Sequence, residues 1–530
     1  MPKKERERRD ATEDEIENLR HVVDSLPLIV WVALIASGAE RFTFYAVTTP
    51  WQNYTQYPRD SITIPGALGL GQATASTLSS AFYAFTFLTS LPFAIVSDAW
   101  LGRYKTICIS FFLNFCGCLV LFVTSLPAVE VHSVKVAGLA ISMLLLGLGT
   151  GGIKATISPF IVTTKSGERV VTDRMLTLQY IYNIFYWFTS IATLSLIAST
   201  YLEKEVGFWA AYLLPLCSVW IVVPLLFVWY KPLVKLPPQD NVLPHAFKVI
   251  MYSIQDGFYL DAAKPAYQAE KYGRQIEWDD MFVSEIRRGL NACKVMACFI
   301  LYHLCNNQSV NNLITQAGQM RLDGVPNDTI KALNPIVCVL LGPIIQRFLY
   351  PSLRRVGIPF GPIARMTWAF ITMSASMAFA AGIQKLIYSR GPCYEHPLAC
   401  NTHGADANGS TTTPNDISVW VQTPIYFLLA FAEVLGFTTL SEYSYSEAPK
   451  NMRTLVQALG QVASGVGSAL GIAVSPLSDD PKVMYMYTGL ASVMGIWALG
   501  FWVRKEPLGV KRHNESMPQA NINGDYRAIM

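Results

Sequence analysis

Four ionisable residues lie inside long apolar runs of this sequence, where an isolated charge is costly to place. Glu40 and Arg41 occur in SGAERFTFYAV, and Lys154 occurs in GLGTGGIKATISPF. Glu433 occurs in LLAFAEVLGF. Two acids and two bases in such surroundings have two interpretations, and both remain open. Either they form buried ion pairs that hold the protein together, or they bind a zwitterion through its carboxylate and its amine.

The run around Glu40 has a polar face if it forms a helix. Residues at three- and four-residue intervals share one side of a helix, and here they are Ser37, Glu40, Arg41, Phe44, Tyr45 and Thr48. Because a bare carboxylate or guanidinium does not tolerate lipid, we expect this face to turn inward. Adjacent residues point about 100° apart on a helix. Glu40 and Arg41 can therefore each reach a partner on another helix or on a ligand.

Two further apolar runs carry candidate features. One contains a polar patch made of His303, Asn306, Asn307 and Gln308. His303 is interpreted either as a hydrogen-bonded interior residue or as a functional group. The run that holds Lys154 contains four glycines, Gly147, Gly149, Gly151 and Gly152. They favour a surface for close helix packing over a phosphate-binding loop, since no strand precedes them and no Ser or Thr follows the lysine.

The composition of the chain indicates a membrane protein. Of 530 residues, 52% are hydrophobic and 15% are charged, against roughly 25% charged in an average soluble protein. The mean hydropathy is +0.31. A soluble protein of this length would need a charged surface that this chain lacks, and long disordered regions need low hydrophobicity. We therefore expect a polytopic helical membrane protein, and we expect no cleaved signal peptide in the charged first segment.

Twelve runs are long enough to form membrane-spanning helices, which need about 20 residues each. The predicted spans are 28–52, 74–97, 106–127, 136–160, 175–200, 207–229, 294–318, 333–351, 364–387, 417–441, 454–475 and 484–503. Six precede a long polar stretch and six follow it, which predicts two similar bundles. The expected domains are an N-terminal tail at 1–27, bundles at 28–230 and 290–503, a central loop at 231–289 and a C-terminal tail at 504–530.

The positive charges predict the orientation of these spans, because cytoplasmic loops are rich in Lys and Arg. With a cytoplasmic N-terminus, 31 of the 41 Lys and Arg residues lie on the cytoplasmic side and eight lie outside. The remaining two are Arg41 and Lys154, within the spans. One missed span would invert the second half and remove this bias. We therefore expect both tails and the central loop to be cytoplasmic.

The predicted external loop at 388–416 carries two signs of an oxidising compartment. A glycosylation sequon begins at Asn408. Cys393 and Cys400 share the loop, which predicts a disulfide between them, with two free thiols as the alternative. A second external sequon begins at Asn327. No Cys or His cluster in the sequence indicates a metal site.

Four motifs follow one another along the chain. They are ERFTFY at 40–45, DAWLGRYKTI at 98–107, GTGGIK at 149–154 and AEVLGFTTLSEYSYSEAPKNMRTLVQAL at 432–459. In combination they resemble the proton-coupled oligopeptide transporter (PTR/POT) family of the major facilitator superfamily. The resemblance extends over nearly all of 28–503, and the PWQNY segment at 50–54 is similar to fungal members. It implies an all-α membrane protein with twelve transmembrane helices in two six-helix bundles.

The resemblance also implies roles for particular residues. Arg41 and Lys154 would meet the carboxylate of a peptide and take part in proton coupling, with Glu40 in the same cluster. Tyr45 would line the peptide site, and Glu433 would receive the peptide amino group. A cytoplasmic gating loop would contain Asp98, Gly102 and Arg103.

The chain departs from the family pattern at several positions of the site. Ser37 stands where the family's first-helix motif has its first glutamate, and Phe87 stands where relatives often carry a tyrosine. Ser190 occupies an asparagine position, His303 a tryptophan position and Asn307 an acidic position. The retained charges favour a zwitterionic or anionic ligand, in a pocket whose polar walls have changed.

The sequence thus predicts a secondary active transporter, coupled to protons, that moves di- or tripeptides or peptide-like molecules by alternating access. The alternative is an exporter of a peptidic or other small metabolite with altered coupling, and a transport-inactive nutrient sensor is a third interpretation. A membrane acyltransferase built on His303 is disfavoured, because no second catalytic group accompanies it. We expect no cofactor, metal or nucleic acid, and a monomer in the lipid bilayer of the plasma membrane.

Overall fold

The computed structural model describes residues 28–163 except 60, 62 and 63, then 184–228 except 186, 242–257, 259–357, 360–397, 414–447 and 453–503. Helices dominate these ranges. This follows from the apolar composition, because a chain in lipid must satisfy its backbone N–H and C=O groups internally, and a helix does so within one segment.

The first half of the chain consists of helices joined by short connections. They are α1 (Leu28–Thr48), α2 (Trp51–Gln56), α3 (Gln72–Val96), α4 (Arg103–Ser125), α5 (His132–Thr163), α6 (Ser195–Glu205) and α7 (Phe208–Val228). Residues 187–193 are helical as well. A single apolar core of buried residues between 34 and 219 holds these helices together.

The second half has a separate apolar core between residues 292 and 501. Its helices are α10 (Asp280–Cys298), α11 (Ile300–Asn307), α12 (Asn312–Gly318), α13 (Leu333–Ile344), α14 (Tyr350–Arg355), α15 (Pro362–Ser389), α16 (Thr423–Glu447), α17 (Arg453–Val474) and α18 (Val483–Val503). The predicted span at 294–318 is therefore interrupted. Between α12 and α13, β1 (Met320–Arg321) pairs in parallel with β2 (Asn415–Ser418).

All twelve predicted spans overlap helix in the described residues. Seven described helical stretches are, by length and composition, apolar enough to cross a membrane. Helix α3 of the first half packs along α17 of the second half. The two cores thus meet along a helix pair, and the site described below lies between them.

The polar stretch between the halves is partly helical rather than an extended loop. It contains α8 (Val242–Gln255), the turn Leu260–Ala263 and α9 (Pro265–Tyr272). Helix α8 and this turn pack on the start of α10 around a small core of their own. Asp261 contacts Lys264 at 2.7 Å and Arg287 of α10 at 2.6 Å. Hydrogen bonds from Lys264 and then Arg287 hold the pKa of Asp261 below its usual range, so this link is ionised at neutral pH.

The glycines before Lys154 pack α5 closely against its neighbours. A Cβ on Gly152 would lie 2.1 Å from Ser110 Oγ of α4, and a Cβ on Gly149 would lie 2.4 Å from Asn114 Oδ1. A Cβ on Gly151 would lie 2.3 Å from Thr89 Oγ1 of α3. The predicted small-residue packing surface is therefore confirmed, and it brings Lys154 close to α3 and α4.

Candidate functional site

Helix α1 carries an acid and a base that contact each other. Arg41 Nε lies 3.4 Å from Glu40 Oε2, with the Arg41 side chain 27% exposed and that of Glu40 2% exposed. The second carboxylate oxygen of Glu40 is buried without a hydrogen-bond partner among the described residues. Arg41 thus neutralises Glu40 with one nitrogen, and the half-exposed guanidinium still has donors for a ligand carboxylate.

Among the described residues, aromatic rings rather than a carboxylate contact the ammonium group of Lys154. Its Nζ lies 4.0 Å from the centroid of the Phe87 ring and 4.5 Å from that of Phe44. Arg41 and Glu40 are the charges that act on it. No ion pair involves Lys154 or Glu433 within the ranges that the structure describes. The four intramembrane charges therefore do not form a set of mutual ion pairs, which weakens the static interpretation.

Glu433 is held by polar neighbours on the second bundle. Asn334 Nδ2 of α13 donates to Glu433 Oε2 at 3.1 Å. Cys338, one turn further along α13, places its thiol 3.7 Å from the same oxygen. Asn306 of α11 also lies beside this carboxylate and acts on it. These neutral partners orient the carboxylate. The charge of Lys331 also acts on it, but without an ion pair among the described residues, so the carboxylate can bind a ligand cation.

Lys331 is a site residue that sequence analysis missed. It was counted in an external loop because it lies two residues before the predicted span at 333–351. In the structure it is 4% exposed, and its Nζ lies 5.2 Å from the centroid of the Tyr45 ring. The turn Thr329–Ala332 runs directly into α13, so a lysine one turn before Asn334 was the available signal.

Tyr45 marks the place where the two bundles meet. The charges of Arg41, Glu433 and Glu40 all act on its hydroxyl group. Two of these residues belong to α1 and one belongs to α16. The structure therefore brings together Glu40, Arg41, Tyr45, Lys154, Phe87 and Glu433, and adds Lys331 and Asn334.

His303 and Asn307 pair with serines one turn apart on α17. His303 Nε2 lies 2.9 Å from Ser464 Oγ, and Asn307 Nδ2 donates to Ser468 Oγ at 2.9 Å. The His303 ring also stacks on Phe437, with 5.3 Å between centroids. These contacts fit a hydrogen-bonded interior residue, although the charge of Lys154 reaches His303. Its expected place at the substrate site stays a prediction.

The structure says less about the other predicted site positions, which are Ser37, Ser190 and the gating loop. Ser37 and Ser190 are both buried. Ser97–Leu101 forms one π-helical turn that ends at Gly102, whose φ of 75° is the left-handed region that favours glycine. The side chains of Asp98 and Arg103 lie outside the described part of the structure, so the gating loop stays a prediction.

The predicted external loop is described only at its two ends. Cys393 is disulfide-bonded, while Cys400 and Asn408 lie outside the described residues, so their pairing and glycosylation stay predictions. The prediction of an accessible external sequon at Asn327 is wrong. Asn327 is 2% exposed, and its Nδ2 donates to Asn53 Oδ1 at 2.9 Å. A buried and hydrogen-bonded amide is not accessible to a glycosyl donor.

Hydrogen bonds join the bundles at one end, which we call the Asn53 end. Gln52 Nε2 donates to Thr315 Oγ1 at 3.2 Å, and Asn311 Nδ2 donates to Ser80 Oγ at 3.2 Å. Ser76 Oγ of α3 donates to Asn312 Oδ1 of α12 at 3.1 Å. Small polar side chains therefore close the junction between the bundles at this end.

A helical membrane protein with opposed charges between two bundles has the architecture of a secondary transporter. Comparison with known proteins gives the particular family. The model of the POT family matches residues 104–491. The peptide transporter PTR_C of Candidozyma auris is 40% identical over 504 residues, which cover 93% of this chain and 86% of that protein. The peptide transporter PTR2 of Saccharomyces cerevisiae is 36% identical over 522 residues, which cover 96% and 83%.

Solved structures show the same fold. The POT family transporter PepTSo superposes with a TM-score of 0.71 at 18% identity, covering 92% of this chain and 99% of that chain. An auto-inhibited POT family peptide transporter gives a TM-score of 0.69 at 19% identity, covering 93% and 99%. The chain belongs to the POT family, whose matched members are transporters rather than enzymes. The predicted family and all-α membrane fold are confirmed.

Proposed function

We propose that this protein moves small peptides together with protons across a membrane by alternating access. The observation that carries this is the placement of opposite charges on opposite sides of one junction. Arg41 and Lys154 lie on the first bundle and Glu433 lies on the second. That arrangement suits a zwitterion, whose carboxylate and amine carry opposite charges. The relatives above bear the name peptide transporter, which favours peptides over other metabolites.

Each site residue takes a role that its contacts support. The half-exposed guanidinium of Arg41 and the aromatic-capped ammonium of Lys154 bind the peptide carboxylate. Glu433, oriented by Asn334, binds the peptide amine. Glu40 is the candidate proton carrier, because one of its oxygens is buried without a partner among the described residues. Arg41 contacts the Glu40 carboxylate at 3.4 Å. When Arg41 binds the carboxylate of a peptide instead, Glu40 would be free to take up or release a proton.

The pocket walls would be completed by the other predicted residues, Ser37, Tyr45, Phe87, Ser190, His303 and Asn307. Asp98, Gly102 and Arg103 would form a gate on the cytoplasmic side. Lys331, which faces Tyr45, adds a cation to the second bundle. We expect it to favour peptides with an acidic side chain or a second carboxylate near the amino end.

The Lys and Arg asymmetry supports an orientation with both termini and the 231–289 loop in the cytoplasm. The bundles would then be 28–230 and 290–503, the tails 1–27 and 504–530, and the Asn53 end would face outside. A monomer in the plasma membrane is the simplest arrangement for uptake of external peptides. Epitope tags in the central loop and at 388–416, probed on intact cells, test this; surface labelling of the central-loop tag would overturn it.

Counterflow tests the substrate separately from the driving force. Purified protein in liposomes preloaded with unlabelled dialanine should accumulate labelled dialanine from outside without any ion gradient. N-acetylated dialanine amide, which lacks both charged ends, is the matched control and should not exchange. Absence of exchange for a panel of di- and tripeptides, with protein verified as folded and inserted, would rule out peptides as the substrate.

A further inference from the structure

Two acidic side chains from different bundles meet at the Asn53 end. Glu203 lies in the last turn of α6 in the first half, and Asp328 precedes the turn Thr329–Ala332 in the second. The carboxyl groups of Glu203 and Asp328 lie close enough to act on each other. The exposed fractions are 2% for Glu203 and 0% for Asp328. Neither acid belongs to the charged cluster around Tyr45 that the proposed function uses.

The surrounding contacts fix this pair in place. Asn53 Nδ2 donates to Glu203 Oε1 at 3.0 Å and to Asn327 Oδ1 at 2.9 Å. Asn327 Nδ2 donates back to Asn53 Oδ1 at 2.9 Å. One turn before Glu203, the hydroxyl of Thr200 lies 2.5 Å from that of Thr329. The two acids are therefore held together by paired side chains from both bundles.

The protein supplies few donors for the other oxygens of the pair. Glu203 Oε2 and both carboxylate oxygens of Asp328 are buried without a well-formed hydrogen bond from the rest of the described chain. The backbone N–H groups of Asp328 and Thr329 act on the Asp328 carboxylate, but the Thr329 N–H donates to Pro326 O at 3.1 Å. A buried carboxylate with unfilled acceptor positions is costly.

Few charged or titratable groups surround the pair. The charge of Lys331 acts on Asp328, and its Nζ makes no hydrogen bond among the described residues. Lys204 donates instead to Gly324 O at 2.6 Å. The buried hydroxyls of Tyr54 and Tyr212 also face this region. No arginine in the described chain forms an ion pair with either acid.

Two carboxylates in contact and away from water do not both stay ionised. Sharing one proton removes the repulsion and supplies the missing donor. We propose that Glu203 and Asp328 form a proton-binding site that closes the outer end of the transporter: one shared proton is bound when the bundles meet there, and it is released when they separate. The proposal rests on the alternating-access function and on the orientation given above.

A route for that proton is visible beside the pair. A cavity of about 220 Å³ at the Asn53 end is lined by Asn53, Glu203 and Asn327, with Lys204 and Pro326 among the other lining residues. Water in this cavity would reach Glu203. Because the closed state binds one proton more than the open state, external acid favours closure, by up to about tenfold per pH unit.

The test measures opening of the outer end and needs no substrate. Ser76 is 1% exposed and hydrogen-bonds across the junction, so Ser76→Cys reports separation of the bundles. Intact cells are treated with a membrane-impermeant maleimide at external pH 8 and pH 5. Val131→Cys, at a position 58% exposed at the same end, corrects for the lower reactivity of thiols in acid. The chain without either cysteine gives the background.

After that correction, labelling of Ser76→Cys should fall several-fold at pH 5. Adding Glu203→Gln, which resembles the protonated acid, should give low labelling at both pH values, and Asp328→Asn should do the same from the other bundle. Glu205→Gln, an exposed acid on the same helix, should keep the full response. Equal labelling of Ser76→Cys at both pH values, or an unchanged response in folded Glu203→Gln and Asp328→Asn, overturns the proposal. Failure to label Val131→Cys would overturn the orientation instead, while peptide counterflow tests the transport function independently.

Discussion

The ammonium nitrogen of Lys154 lies 4.0 Å from the centroid of the Phe87 ring. The family pattern often has a tyrosine at that position, and this chain has no hydroxyl there. The ring still attracts the cation through its negatively charged face. Among the described residues, Lys154 is thus held by aromatic rings and makes no ion pair, so its charge stays available to a substrate carboxylate or to a proton-coupled rearrangement.

Lys154→Ala should abolish gradient-driven uptake while the protein remains folded, because it removes a cation that no other described residue neutralises. Phe87→Leu should weaken uptake by roughly fivefold, which corresponds to loss of about 1 kcal/mol of cation–π attraction. Uptake and size-exclusion profiles are compared with Lys385→Ala, a change at an exposed position on α15. Normal, pH-dependent uptake by Lys154→Ala would favour the static interpretation.

Glu433→Gln should raise KM for dipeptides by about tenfold or more, since a charge-assisted hydrogen bond contributes roughly 1.5–3 kcal/mol. Peptides without a free amino group should bind equally to both proteins. Asn334→Ala should have a smaller effect, as it removes only a group that orients the carboxylate at 3.1 Å. Glu442→Gln, at a side chain that is 66% exposed, is the control. An equal loss for acetylated and free peptides would argue against amine binding.

Hydropathy predicted the spans well, because every residue of a lipid-facing helix contributes to the pattern. The burial of single residues at the ends of spans was harder to predict. Lys331 was counted as a loop residue and Asn327 as a glycosylation site, and both are buried. A sequon is a local pattern, whereas the burial of Asn327 depends on Asn53, which lies far away in the sequence. The proximity of Glu203 and Asp328 likewise joins a residue of helix α6 to a residue before the turn Thr329–Ala332, which sequence spacing does not relate.

Gly152→Ala should prevent folding or surface expression. Its Cβ would lie 2.1 Å from Ser110 Oγ and 3.0 Å from the Phe93 ring, so helices α4 and α5 would have to separate. Gly382→Ala, in α15, introduces a methyl group with no atom within 4 Å and should be tolerated. Thermal stability in detergent and surface abundance measure both. Comparable stability of the two variants would show that the close packing of α5 is not required.

Ser37→Glu should make transport depend more steeply on protons. A second carboxylate one turn before Glu40 favours a bound proton through repulsion of like charges, whereas Ser37 provides none and Arg41 lies 3.4 Å from Glu40. We therefore expect the natural protein to be weakly coupled, or coupled mainly through Glu433. Initial uptake rates between pH 5 and pH 8 measure this, with Ser37→Gln as the neutral control. A steep natural pH dependence that Ser37→Glu leaves unchanged would contradict it.

The central claim is that a proton gradient drives peptide movement through this protein. Purified protein in liposomes, with an interior more alkaline than the exterior, should accumulate labelled dialanine above its external concentration. A protonophore should reduce that accumulation to simple equilibration. Lys154→Ala should show neither the accumulation nor a response to the protonophore. Uptake that never exceeds the external concentration, and that proceeds at the same rate with and without the gradient, would contradict the account.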